Sequence, residues 1–283
     1  MPLISLDTTL RYTATAASMI IDHSLRDRIS RAVCGALRPL PNVLAGWEGG
    51  SAAFGALDTY SDIDLNFLVD TDASLDPLYA AAEKSLEIVS PIIASHAAPP
   101  GRYYKLEDSG EFLLVDLCFF PQGAVDHHLD VERHGHVVTL FDKGDSLRPG
   151  LLDESASVIK RNKRYLELRT WFPISQSFVR KAILRGQHVE ALAGYWSYTL
   201  KPLAELLRMH HCPVRWDFGM RYLDRDLPGF AYEQIRDLVF VRDLDDLEAK
   251  LALATAWGNA LLRELDASPN FSETDDSLEG GPR

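Results

Sequence analysis

Trp47-Glu48-Gly49-Gly50-Ser51-Ala52-Ala53-Phe54-Gly55-Ala56-Leu57-Asp58-Thr59-Tyr60-Ser61-Asp62-Ile63-Asp64-Leu65 is the stretch on which the reading of this chain turns. Physically it is a tight glycine turn opening a short helix, then a strand with carboxylates at i and i+2. Alternate residues of a strand share a face. Asp62 and Asp64 are therefore expected to project together, while Ile63, Leu65, Phe67 and Val69 carry the strand into a core. Two carboxylates side by side repel unless a cation sits between them. A hard divalent ion with oxygen ligands suits the pair, and Mg²⁺ is the default where phosphates are also present. Gly49 and Gly50 permit backbone conformations and close approaches that a Cβ would block. Ser51 then starts a helical turn whose N–H groups suit an anion. A phosphate cradle beside a carboxylate pair is the equipment of phosphoryl or nucleotidyl transfer.

These residues resemble the signature of the DNA polymerase β-type nucleotidyltransferase superfamily: a Gly-Ser turn, a short spacer, then Asp-x-Asp on a strand. A glycine pair or an Asp-x-Asp alone would say little. The ordered combination on one strand–helix–strand frame is far more specific. The resemblance implies a third carboxylate on a later strand. Glu111-Phe112-Leu113-Leu114-Val115-Asp116-Leu117-Cys118-Phe119-Phe120 is an apolar run with Asp116 in its middle, and Glu107-Asp108-Ser109-Gly110 before it reads as a hairpin turn. A lone carboxylate inside such a strand is costly to bury without a partner. An arginine or a loop cap could supply that partner, but with Asp62 and Asp64 upstream, metal ligation or general-base work is the better reading of Asp116.

Composition bounds the rest. At 283 residues, 46% hydrophobic and 25% charged, the chain can bury a large core in one or two domains. Its apolar runs fall short of the ~20 residues a bilayer span needs. Met1-Pro2-Leu3 opens without a basic region and apolar block, so a secretory signal is not expected. Cys34, Cys118 and Cys212 are dispersed, forming neither a metal cluster nor a disulfide framework, which points to a cytoplasmic protein. Residues 1–150 hold 11 Lys and Arg against 21 Asp and Glu, a net −10 of the chain's −12. Nucleic-acid enzymes usually carry a basic track. The acidic half therefore disfavours a nucleic-acid substrate and favours a small cationic acceptor.

The pattern predicts a two-part chain. Ile21, Leu25, Ile29, Val33 and Leu37 recur at helical spacing over 20–38, and Pro39 and Pro41 end that helix. Strands are expected at 43–47, 62–69, 102–106, 112–120 and 136–141, with a helix over 76–90. That is an α/β (α+β) domain over residues 1–150 with a mixed sheet of about five strands. From Leu151 strand signals vanish, and helices are expected near 152–170, 173–185, 187–210, 230–241 and 243–266. Pro202 should kink or split the third of these near Lys201. An all-α bundle thus covers 151–268, and it resembles the bundle that follows the catalytic domain in antibiotic nucleotidyltransferases. A polar tail, 269–283, reads as disordered.

Other clusters carry less. His127, His128, His134 and His136 lack zinc-site spacing and read as a solvated loop. Lys160, Arg161, Lys163 and Arg164 read as a solvated helix face. In Arg215-Trp216-Asp217-Phe218-Gly219-Met220-Arg221-Tyr222-Leu223 the aromatics would cap the bundle core, with Asp217 starting a short helix. Tyr198 and Lys201, three apart, invite comparison with the Tyr and Lys that related helical domains aim at ATP, beside the plainer reading of a snorkelling lysine near a packed tyrosine.

The resemblance, taken to antibiotic (aminoglycoside and lincosamide) nucleotidyltransferases, implies a Mg²⁺-dependent enzyme. It would transfer a nucleoside monophosphate, AMP from ATP or another NTP, to a hydroxyl of a small cationic acceptor. It implies Asp62, Asp64 and Asp116 as catalytic and metal-binding residues, and Gly49, Gly50, Ser51 and Lys201 as nucleotide-binding residues. Glu107 and Glu111 are reserve bases. A protein- or tRNA-modifying member of a toxin–antitoxin-type module would share the same residues, as would a non-catalytic nucleotide sensor.

Overall fold

The computed structural model describes residues 23–123, 129–148, 154–268 and 271. Helical periodicity accounts for its first helix, α1 (His23–Leu37), in which Leu25, Ile29, Val33 and Leu37 form one buried stripe. Then come β1 (Val43–Glu48), α2 (Gly50–Ala53), β2 (Ile63–Val69), α3 (Leu75–Val89), β3 (Ile92–Ala98) and β4 (Gly101–Leu106). β5 (Val115–Pro121), α4 (Val131–His134) and β6 (Val138–Asp142) follow. These elements lie in one unit, Met1–Leu151; Leu152–Arg283 forms another.

The sheet is six-stranded and mixed, in the order β3-β4-β5-β2-β1-β6. β2 and β5 run parallel; the other neighbours are antiparallel. Period two then sorts the side chains. Ile63, Leu65, Phe67 and Val69 share one core with Val115, Leu117 and Phe119 of β5, the stripe of α1, and Leu78, Ala82 and Leu86 of α3. Each such fully buried aliphatic or aromatic side chain contributes about 1.5–3 kcal/mol relative to exposure. Leu68, Cys118 and Phe120 turn the other way, joining Ala45, Trp47 and Leu147. Asp64 and Asp116 have the parity of this second set, so they lie on the face away from α1 and α3.

The sheet has six strands rather than the five expected. The extra one is β3, an exposed edge strand reading Ile-Ile-Ala-Ser-His-Ala-Ala, which lacks both alternation and β-branched residues beyond its start. Asp62 stands one residue ahead of β2, and β5 starts at Val115 rather than Phe112. A 3₁₀ turn at Glu107–Ser109 and a left-handed Gly110 (φ 65°) occupy the approach to β5.

Among the described residues, the second unit contains helices and no strand. It comprises α5 (Glu154–Leu184), α6 (His188–Gly194), a π-helical stretch (Tyr195–Leu200), α7 (Lys201–His211), α8 (Leu223–Asp226), α9 (Gly229–Val239) and α10 (Leu244–Asp266). An α/β domain followed by an all-α region is the expected fold class. Two internal expectations need correction. The break expected after residue 170 does not occur: α5 is one helix of 31 residues running through Pro173, its buried side chains Leu168, Phe172, Val179 and Ala182 packed along its length. That packing outweighs the ~3 kcal/mol cost of an internal proline. Nor does Asp217 start a helix. It lies in a turn, and the helix begins at Leu223, after a left-handed Tyr222 (φ 56°).

Pro202 leaves its mark in the π stretch just before it. Having no N–H, Pro202 cannot donate to the carbonyl of Tyr198, its partner four residues back. Gln176 Nε2 of α5 donates to that oxygen instead at 2.9 Å, and Thr199 Oγ1 donates to Gln176 Oε1 at 2.7 Å. The chain therefore stays helical. Residues 215–226 wrap the fully buried Arg208, which donates to the carbonyls of Gly219 and Arg221 and pairs with Asp226 at 2.5 Å.

Of the stretch 269–283, only Phe271 is among the described residues. It is buried against Tyr165, ring centroids 4.8 Å apart, and beneath the Arg161 guanidinium. Arg161 and Arg164 thus leave the basic face expected of them, Arg164 pairing with Glu205 at 2.6 Å, while Lys160 and Lys163 stay exposed. No described helix is long and apolar enough to cross a membrane.

Candidate functional site

The end of β1, the one-turn α2 and the start of β2 form a single knot. Gly49 N donates to Asp64 O at 2.9 Å, tying the glycine turn to the strand. Asn66 Nδ2 donates to the same carbonyl at 3.2 Å. Gly50 takes φ 54°, where side chains with a Cβ are strained. It also lies so close to Asp64 that a Cβ would overlap the carboxylate. Ser51 continues the turn and is half-buried.

The third acid arrives by strand pairing. In the parallel β2–β5 pair Asp64 sits opposite Asp116. Sheet neighbours on one face have Cβ atoms roughly 5 Å apart, so two carboxylates face the same space. Asp62, just outside the strand, accepts a hydrogen bond from Leu114 N at its Oδ1, 3.2 Å away. Glu107 and Glu111 are exposed in the β4–β5 connection. Lys201 belongs to the second unit, exposed at the start of α7, with Tyr198 in an aromatic cluster with Trp171 and Phe178.

Sequence reasoning missed several supporting residues. Arg26, buried on α1, donates from Nη1 to Ser61 O at 2.7 Å and from Nη2 to Asp62 O at 3.0 Å and Glu48 Oε1 at 2.9 Å. Tyr103 of β4 lies opposite Asp116 in the β4–β5 pair. Cys118 Sγ lies 3.7 Å from Asp116 Oδ1. A charge one position off the stripe of α1 was the only available signal for Arg26.

Electrostatics follow from this crowding. Burial raises the Asp62 carboxyl above the usual range, opposed by the Leu114 N–H, Arg26 and Lys105. Burial also raises Glu48, against the pull of Arg26. The Cys118 thiol is pushed up to about 12 by burial and by the charges of Asp116 and Asp64, so it stays protonated. The Asp116 charge, then burial, raises the Tyr103 phenol, which keeps its proton to donate.

The site holds hard oxygen donors and a cradle that a Cβ would fill. Among the described residues, no three His, Cys, Asp or Glu side chains form a ready-made cage for a metal. Mg²⁺ in phosphate-transfer sites is typically held by one or two carboxylates plus substrate oxygens rather than by such a cage. An in-register pair of aspartates beside a glycine turn fits that mode.

The histidine region differs from the solvated loop expected. His134 ends α4, and Gly135 (φ 77°) packs on Ala53, whose carbonyl accepts from His136 N at 2.9 Å. The segment thus closes over α2. His127 and His128 lie outside the described residues.

Among solved structures, the chain is similar to an aminoglycoside 6-adenyltransferase from Bacillus subtilis, at 12% identity and a TM-score of 0.39, over 89% of this chain and 93% of that one. It is similar also to a spectinomycin adenyltransferase from Enterococcus faecialis, solved with ATP and spectinomycin, at 12% identity and 0.39, over 85% and 98%. Two are adenyltransferases. A third is a STING-associated c-di-GMP synthase from Capnocytophaga granulosa, at 14% identity and 0.31, over 86% and 82%. No family model and no curated protein matches the chain.

Proposed function

We propose that this protein is a nucleotidyltransferase that moves AMP from ATP to a hydroxyl of a small cationic acceptor of the aminoglycoside kind. The observation that carries the reading is the in-register pair Asp64 and Asp116 with Gly50 backed onto Asp64. In this reading Asp62, Asp64 and Asp116 hold Mg²⁺, which when bound neutralises phosphate charge and favours loss of pyrophosphate. Gly49, Gly50 and Ser51 bind the β- and γ-phosphates through backbone N–H groups and the serine hydroxyl. Asp116 accepts the acceptor's proton, with Tyr103 opposite it in the β4–β5 pair. The acceptor oxygen then bonds to the α-phosphorus as the bond to pyrophosphate breaks.

The acceptor class rests on charge: residues 1–150 carry −10, a field that attracts cations and repels polyanions. The test is transfer of radiolabel from ATP and from GTP to aminoglycosides, lincosamides, tRNA and total cell protein. Label on an aminoglycoside, with acceptor binding weakened as salt rises from 0.01 to about 0.15 M and the Debye length falls from ~30 to ~8 Å, supports the reading. Label on tRNA or protein overturns the acceptor class, and no label from either nucleotide overturns the activity.

A further inference from the structure

Glu48 is the last residue of β1 and leads directly into Gly49-Gly50-Ser51; Ser61 and Asp62 lead directly into β2 and Asp64. The separation of these two halves is set by the segment between them, by the bond from Gly49 N to Asp64 O, and by any side chain that grips both ends. Arg26 grips both. Its guanidinium takes the Glu48 carboxylate on one side and the carbonyls of Ser61 and Asp62 on the other, all between 2.7 and 3.0 Å. Only a rigid planar fork serves three acceptors at fixed angles; an ammonium on a flexible stem does not reproduce that geometry. The carbonyl of Asp62 belongs to a residue whose carboxylate is itself pinned by Leu114 N. Fixing this peptide fixes the direction in which the acid points.

We propose that Arg26 is a positioning residue for nucleotidyl transfer. From the helix side of the sheet it locks the glycine turn and the acidic strand at the separation the nucleotide requires. The inference rests on the transfer reading above. It differs from a purely structural role for the ion pair, and the difference is measurable. Removing Arg26 alone leaves the half-buried Glu48 carboxylate without its cation and destabilises the fold; removing both partners for apolar side chains relieves that penalty. Positioning, unlike stability, does not return in the double variant.

The experiment compares wild type, Arg26→Lys, Arg26→Met and Arg26→Met/Glu48→Leu by thermal melting, by calorimetric titration with ATP and with GTP in Mg²⁺, and by label transfer. The double variant is expected to melt above Arg26→Met. Its turnover should remain down by about 10²-fold, the scale of a 1 Å misplacement, with weakened nucleotide binding. Arg26→Lys should keep the charge yet lose turnover to a similar degree. If Arg26→Met does not fold, the other two variants carry the comparison. A double variant or an Arg26→Lys protein that binds and turns over nucleotide as wild type does would overturn the inference alone. Wild-type protein that binds neither ATP nor GTP would overturn the transfer reading, and the inference with it.

Discussion

Gly50 is the wall against which Asp64 rests: a Cβ on the first would overlap the carboxylate of the second. Glycine here makes room for the acid next to it and, in the proposed transfer, for an incoming phosphate as well.

Substitution at Gly50 should therefore act twice. Gly50→Ala should cost about 1–3 kcal/mol from the strained backbone and also displace Asp64. Gly50→Val should abolish ATP binding, whereas Ser51→Ala should weaken it modestly because backbone donors remain. Calorimetric titration distinguishes them, and equal small effects would mean that phosphates bind elsewhere.

The paired acids should repel when no metal is bound. Asp64→Asn and Asp116→Asn should melt at or above the wild-type temperature without Mg²⁺, and should lose the rise that Mg²⁺ with ATP gives the parent. Transfer should vanish in both. Full turnover by either variant would remove it from the metal and catalytic set.

In the helical unit, the bond from Gln176 to the Tyr198 carbonyl stands in for the one Pro202 lacks. Gln176→Leu leaves that carbonyl and the Thr199 hydroxyl without this partner. The expected cost is about 1–3 kcal/mol, read by denaturant unfolding. A variant as stable as the parent would show that water or backbone takes over.

The start of α10 should respond to acid. Asp243 accepts from Asp246 N at 2.8 Å, and Asp246 accepts from Arg242 N at 3.0 Å, a reciprocal cap. The Arg242 N–H, with the Arg242 and Lys250 side chains, holds the Asp246 carboxyl down at about 2. Its folded value is depressed, so its contribution is present above the unfolded value of ~3.9 and fades as pH falls toward 2. Asp246→Asn should thus melt below wild type at pH 7, with the gap closing through that window. A gap independent of pH would deny the ionised form its role.

Sequence periodicity disclosed α1, β2 and the helical second unit because a dominant face is buried in each. It failed at β3, an edge strand with little to bury, and at Pro173, where packing overrides a local rule; at Pro202 the helix does change character, from π to α at Lys201, with Gln176 taking the freed carbonyl. Asp62, Asp64 and Asp116 could be singled out because a charge inside an apolar run has few uses. Arg26, Glu48 and Tyr103 could not. Their partners are backbone carbonyls and residues distant in the chain, and those pairings exist only once the strands have found their register.

The pairing of β2 with β5 also orders events in time. β1 with β2 and β3 with β4 are near neighbours along the chain, whereas Asp64 and Asp116 are brought together by a parallel contact across intervening elements, and β1 meets β6 over a longer span still. Such long-range closure is slow, because loop entropy is spent before the contacts form. Here it must also press like charges together. A refolding chain should thus gain most of its helix before it gains any capacity for nucleotide, and divalent cation should quicken the β2–β5 closure. Competence to react would then mark the closing of β2 on β5.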